Sequence, residues 1–122
     1  MKNSKNSKLK IFKDKTIEER ISLSKKLKED HQDYIPCVVI QDWNDSILKL
    51  VINGNSTLHD LLYIVRKKTI SLKPSQSLII TVFHNEKVNL ISGSILLKQI
   101  YKDYCSEDGF LYFHSLFETT FG

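Results

Sequence analysis

Two apolar, β-branched runs, residues 35–40 and 47–52, flank the turn-forming cluster Asp42-Trp43-Asn44-Asp45-Ser46. Such a pair predicts two strands joined as a hairpin. Immediately afterwards the apolar period changes from two to 3.6. Thr57-Leu58-His59-Asp60 has the capping-box pattern, and Leu58, Leu61, Leu62 and Val65 repeat at i, i+3, i+4 and i+7. A hairpin feeding directly into a helix restricts the chain severely. The helix must cross over one face of the sheet that the hairpin begins.

The remaining elements follow from the same rules. Thr16-Ile17-Glu18-Glu19 is a capping box, opening a helix with Ile17, Ile21, Leu23 and Leu27 on one broad face. Its lysine-rich end, Lys25, Lys26 and Lys28, suits the macrodipole, and the helix should stop within residues 29–33. Pro36 belongs near the start of the first strand or on an edge. The helix from Leu58 ends in Arg66-Lys67-Lys68, and Lys73-Pro74-Ser75 reads as a loop. Residues 78–83 form a third strand and His84-Asn85-Glu86 a turn. Ser92 or Ser94 is the expected cap of a short helix bearing Leu97, Ile100, Tyr101 and Tyr104. After the turn Ser106-Glu107-Asp108-Gly109, residues 110–117 are the fourth strand. The class is α+β. The order is that of a ubiquitin-like β-grasp: a four-stranded mixed sheet with a crossover helix, preceded by N-terminal helices. A right-handed crossover puts the first and last strands side by side. The division expected is a basic arm and helical extension over 1–33 and a β-grasp domain over 34–122.

Composition excludes several classes of function. The 122 residues give one core of ordinary size, with 41% hydrophobic and 26% charged residues. No apolar run approaches the roughly 18 residues of a membrane span, and no apolar stretch follows the charged N-terminus to make a secretory signal. Cys37 and Cys105 lack metal-ligand spacing and read as reduced thiols, with a bridge between them the lesser alternative. His31, His59, His84 and His114 are scattered, Cys37 falls in a strand, and Cys105 has Glu107 and Asp108 for neighbours. No catalytic, phosphate-binding or metal motif is present, so neither an enzyme nor a cofactor is expected. The net charge of +4 is uneven: Lys2, Lys5, Lys8, Lys10, Lys13 and Lys15 crowd the opening segment, where Leu9, Ile11 and Phe12 could support a turn or two of helix. Such an arm is either a solvated tail or a contact for anionic surfaces. No nucleic-acid motif accompanies it, and no nucleic-acid partner is expected.

Two features suggest binding. In the second strand Leu48, Leu50 and Ile52 point one way while Ile47, Lys49 and Val51 point the other. A strand apolar on both faces is either covered twice or presents a groove to which a peptide could add. The second feature is the ending Thr120-Phe121-Gly122, which directly follows an aromatic strand. A terminal glycine is either a frayed end or an unhindered carboxylate able to enter a narrow slot.

These residues, taken together, resemble a known family. Glu19-Arg20-Ile21, Ile35-Pro36, Lys49-Leu50-Val51-Ile52, Tyr63-Ile64-Val65-Arg66-Lys67-Lys68, Asp108-Gly109-Phe110-Leu111-Tyr112 and the final Phe121-Gly122 match the autophagy-related protein eight family of ubiquitin-like modifiers over residues 19–122. That family includes GABARAP and the microtubule-associated light chain. The resemblance implies that Gly122 is joined to phosphatidylethanolamine, with Phe121 and Thr120 read by the processing and conjugating enzymes. It implies activating and conjugating enzymes and a cysteine protease as partners. It further implies a monomeric adaptor, cytoplasmic and, once lipidated, on the autophagosome or another organelle membrane. Receptors would carry aromatic-x-x-aliphatic peptides. The aromatic pocket would comprise Ile21, Pro36, Val38, Lys49, Val51 and Phe110; the aliphatic pocket, Leu50, Ile52, Leu61 and Ile64. Lys49 and Arg66 would meet acidic residues of the peptide. Conjugation to a protein lysine and a peptide-binding module without conjugation are the alternatives. The chain also departs from the pattern. The segment before Ile35 is longer and the turn after Gln41 shorter. Ile17, Tyr34 and Ile47 replace charged residues, and Asn53 and Ser56 stand where apolar ones are usual. Weaker or altered peptide selectivity, with fewer salt bridges to acidic ligands, is the consequence expected.

Overall fold

The computed structural model describes residue 12 and residues 14–41, 46–69 and 77–117. Helix α1 (Ile17–Asp30) precedes strands β1 (Tyr34–Gln41) and β2 (Ser46–Asn53), helix α2 (Leu58–Lys68), strands β3 (Leu78–His84) and β4 (Lys87–Asn89), helix α3 (Leu97–Tyr104) and strand β5 (Leu111–Phe117). The sheet order is β2-β1-β5-β3-β4. β1 and β2 pair antiparallel, and β5 lies parallel to β1 at the centre, as the crossover rule requires. This is the ubiquitin-like arrangement.

Side-chain alternation divides the apolar residues between two faces. Cys37 and Val39 of β1 and Leu111 and Phe113 of β5 join Leu58, Leu61, Val65, Leu97 and Ile100 of α2 and α3 in the main core. The intervening residues, Val38, Ile40, Phe110 and Tyr112, turn the other way, to Phe12 and to Leu23 and Leu27 of α1. The sheet is therefore covered on both sides, with α1 supplying the second cover. Within α1, Thr16 accepts from the Glu19 amide at 3.1 Å while the Thr16 amide donates to Glu19 Oε1 at 2.9 Å, completing the expected box. Among the expected stripe residues, Leu23 and Leu27 pack on the sheet, but the one fully buried position of the helix is Ser24.

Two expectations are corrected. The sheet has five strands, not four: Asn85 and Glu86, both at positive φ (53° and 61°), make a tight turn that pairs Lys87–Asn89 with β3. Three residues of mixed polarity carry no strand period, so β4 had no sequence signal. His84 consequently ends β3 rather than lying in the turn. Secondly, neither Ser92 nor Ser94 caps α3. Its cap position is Leu96, with no side-chain bond. The amides of Leu97 and Lys98 instead donate to the carbonyls of Ser56 and Gly54 at 2.8 and 2.9 Å, and those of Leu58 and His59 donate back to Ile95 and Gly93 at 3.0 and 2.9 Å. The loops before α2 and α3 satisfy each other's helix, removing orphan donors that side chains usually take.

Residues 106–110 fasten α1 to the sheet. Buried Asp108 accepts from Arg20 Nη1 at 2.7 Å, from the Tyr112 hydroxyl at 2.6 Å and from the Phe110 amide at 2.9 Å. Ser24 Oγ lies 2.7 Å from the Asp108 carbonyl, and Tyr101 donates to the Gly109 carbonyl at 2.8 Å. Burial, and then the hydrogen bond and charge of Asp108, push the Tyr112 phenol well above its ordinary value, with Arg20 offsetting part, so that it remains a donor. Gly109 has φ +88°, and a Cβ there would meet Ser24 Oγ at 2.2 Å. Gly109→Ala should therefore cost at least about 1–2 kcal/mol from the left-handed backbone alone, and more from displacing Ser24. Urea unfolding measures this loss, and an unchanged midpoint would contradict the close approach.

Candidate peptide-binding edge

Among the described residues β2 is an edge strand, with β1 on one side and no strand on the other. Its register sets the candidate residues in rungs. Val51 lies opposite Pro36, Lys49 opposite Val38 and Ile47 opposite Ile40 on the α1 face; Ile52 lies opposite Ile35, Leu50 opposite Cys37 and Leu48 opposite Val39 on the α2 face.

The two sets assigned to an aromatic and an aliphatic pocket thus fall on opposite faces of one strand. On the α1 side, Pro36, Val38, Lys49 and Val51 form adjoining rungs, and Phe110 shares a cluster with Val38. Ile21 is half-buried on α1, which lies over β1. On the α2 side, Ile52 and Leu61 are core, with Leu50 and Ile64 packed against them. Depth separates the residues further. Pro36, Val38, Ile52, Leu61 and Phe110 are buried and can serve only as floor. Ile21, Leu50, Val51, Ile64 and Arg66 are partly accessible, and Lys49 is exposed. Thr120, Phe121 and Gly122 lie outside the described residues, as do the loop around Pro74, the arm before Phe12 and most of the turn after Gln41.

The departures from the family pattern acquire physical roles. Ile47 pairs with Ile40 and joins the outer cluster. Asn53 Oδ1 accepts from the Asn55 amide at 2.8 Å, and Ser56 presents its carbonyl to Leu97. Both polar residues are engaged in the loop that caps α3, and both are partly exposed. Ile17 lines a cavity of about 630 Å³ with Arg20 and Tyr112, while Tyr34 lines another of about 610 Å³ with Lys28, Lys98 and Tyr101.

Sequence reasoning missed Phe12 as part of this surface. It is 2% exposed, in an edge-to-face contact with Phe110 at 5.2 Å, and Lys49 Nζ sits 5.5 Å from its ring centroid. The available signal was an aromatic residue close to the capping Thr16 in an otherwise lysine-rich arm.

Groups capable of catalysis are otherwise occupied. Cys37 is fully buried, and that burial pushes its thiol far above the ordinary range, away from the nucleophilic thiolate. Cys105 is also free and donates to the Ser106 carbonyl at 3.2 Å. His84 meets Tyr104 edge-on, His114 stacks on Phe83, and His31 lies beside Tyr34. Among the described residues no cluster of His, Cys, Asp and Glu could hold a metal, and no helix is long and apolar enough to cross a membrane.

Known proteins of similar sequence and fold supply the context. The profile of the family described as "Autophagy protein Atg8 ubiquitin like" matches residues 19–122. Autophagy-related protein 8B of Oryza sativa subsp. indica is 32% identical over 114 residues, covering 89% of this chain and 92% of its own. Autophagy-related protein 8 of Schizosaccharomyces pombe is 30% identical over 117 residues, covering 91% and 93%. The crystal structure of Trypanosoma brucei ATG8 superimposes with a TM-score of 0.71 at 29% identity, over 88% of this chain and 93% of that one. With a ubiquitin-like fold, an open β2 edge and this match over most of its length, the chain belongs to the Atg8 family of autophagy ubiquitin-like proteins, which are modifiers and not enzymes.

Proposed function

We propose that this Atg8-family protein is conjugated through Gly122 to phosphatidylethanolamine and then serves as a membrane-fixed adaptor, reading aromatic-x-x-aliphatic peptides along β2. The observation that carries the peptide reading is the pair of apolar sets on opposite faces of one open-edged strand. An extended peptide alternates its side chains, so residues i and i+3 point to opposite faces, about 10 Å apart along the chain at roughly 3.3 Å per residue. A peptide added to β2 therefore sends its aromatic side chain toward Pro36 and Val51 and its aliphatic one toward Leu50 and Ile64. Main-chain bonds to the edge supply affinity, and the two pockets supply selection. Lys49 and Arg66 supply positive charge for acidic residues in or beside the motif. The polar rim at Asn53 and Ser56 makes the aliphatic end less selective for bulky residues.

The lipid reading rests on family membership and on the terminal Phe121-Gly122. One acyl chain binds a membrane only marginally, whereas two chains at about 0.8 kcal/mol per buried CH₂ anchor it stably. Phosphatidylethanolamine supplies two. Activating and conjugating enzymes would carry Gly122 to the lipid amine, with Phe121 and Thr120 in their grip, and a cysteine protease would trim or release the protein. The lipidated form would decorate autophagosome membranes and recruit receptors there, drawn from a cytoplasmic pool.

Two experiments test these readings. In peptide titrations, replacing either the aromatic or the aliphatic residue by alanine should weaken binding by at least about tenfold, as for anchor residues in a small interface. Lys49→Ala should cost roughly threefold with an acidic peptide, and that loss should shrink as salt rises. Indifference to both peptide anchors would rule out this groove. In a reconstituted reaction with ATP, the conjugation enzymes and phosphatidylethanolamine vesicles, wild type should yield a lipid-linked band and Gly122→Ala none. An equal yield from Gly122→Ala would rule out that residue as the point of attachment.

A further inference from the structure

The α1 face of β1 and β2 carries a trough of three rungs, Pro36/Val51, Val38/Lys49 and Ile40/Ile47. One end of it is already filled. Phe12 belongs to the cluster of Val38, Ile40, Ile47, Phe110 and Tyr112, packs edge-to-face on Phe110 at 5.2 Å, and lies under Lys49 Nζ at 5.5 Å. Val38, Lys49 and Phe110 are three of the residues to which an incoming aromatic side chain is assigned above. A second aromatic ring seated there would compete with Phe12 for that floor and that ammonium.

We infer that Phe12 holds the inner part of the aromatic site, over Val38, Phe110 and Lys49, and that receptor peptides bind by displacing it from there. The inference rests on the peptide-binding reading of β2. Phe12 has the chemistry of the ligand it excludes: an aromatic ring on apolar rungs beneath a cation. Its tether permits exchange. The Lys15 amide donates to the Phe12 carbonyl at 3.2 Å, and Arg20 Nε reaches the Lys15 carbonyl at a long 3.4 Å, while α1 itself begins only beyond its cap at Thr16. Phe12 can therefore leave with the α1 capping box and the Asp108 contacts intact. Ile40 and Ile47 form an apolar cross-strand pair beyond Lys49, and they give the ring a dry seat there. Departure of Phe12 frees Val38 and Phe110 for the incoming ring and Lys49 for an acidic neighbour of that ring.

A competing intramolecular occupant lowers apparent affinity by the fraction of molecules in which the site is open. The test measures fluorescence anisotropy of a labelled aromatic-x-x-aliphatic peptide against full-length wild type, Phe12→Ala and Phe12→Leu, with circular dichroism to verify the fold. Displacement predicts tighter binding in the order Ala, Leu, Phe, with Phe12→Ala gaining about tenfold if the closed form outnumbers the open by roughly ten to one. Should Phe12→Ala fail to fold, Phe12→Leu keeps an apolar cover and decides by the same sign. Unchanged or weaker binding in folded variants overturns the inference and makes Phe12 a wall of the pocket. Absence of binding to wild type and both variants overturns the groove reading, and this inference with it.

Discussion

The buried carboxylate of Asp108 is the constraint on which the rest of the molecule turns. Its side chain is 0% exposed, and it draws donors from α1, from β5 and from the backbone between them. An unpaired charge at that depth would cost several kcal/mol, and breaking a buried pair by removing one partner typically costs about 3–5 kcal/mol. Arg20 and Tyr112 are therefore obliged to stay, and α1 stays with Arg20. The same loop turns at Gly109 because only a residue without Cβ can pass Ser24 so closely, and it then delivers Phe110 to the outer face. The motif Asp108-Gly109-Phe110-Leu111-Tyr112 is thus one device: an anchor, a close approach, a residue for each face of the sheet, and a donor back to the anchor.

That device leaves β2 at the edge with α1 on one side and α2 on the other. An edge strand ordinarily invites uncontrolled pairing, which exposed lysines discourage. Here Lys49 stands on the exposed edge strand, and it also lies over Phe12. On the peptide-binding reading proposed above, a partner would have to offer something for Lys49 and an aromatic ring to replace Phe12, so the same two residues would limit indiscriminate pairing and favour acidic, aromatic peptides. At the α2 end, Asn53 and Ser56 serve the loop that caps α3, and on the proposed reading the selectivity of the aliphatic site would be tied to that structural duty.

What was legible in the sequence was local. Thr16 with Glu19 and Thr57 with Asp60 announced two helices because both halves of a capping box lie within one turn of chain. The apolar, β-branched runs of β1 and β2 on either side of a turn cluster announced the hairpin. What was illegible depended on partners far away in sequence. No side chain marks the start of α3, because its cap is the carbonyls of Gly54 and Ser56. β4 is held by β3 and by a turn at Asn85 and Glu86, with too few residues to show a period. Ser24 looks like a solvent position in a helical stripe until the Asp108 carbonyl is brought against it. The edge residues could be listed from the family pattern, but their division between floor and rim follows from burial in the folded chain. Phe12 could not be placed, since a single aromatic residue in a basic arm has no period to follow.

The central claim is that one peptide strand is read on both faces of β2 at once. Intermolecular NOEs in a complex of the isotopically labelled protein with an aromatic-x-x-aliphatic peptide test it most directly. Contacts are expected from the aromatic ring to Pro36 and Val51, and from the aliphatic residue three positions on to Leu50 and Ile64. Contacts from both peptide side chains to the same face, or a peptide docked along β4 at the opposite edge, would contradict it.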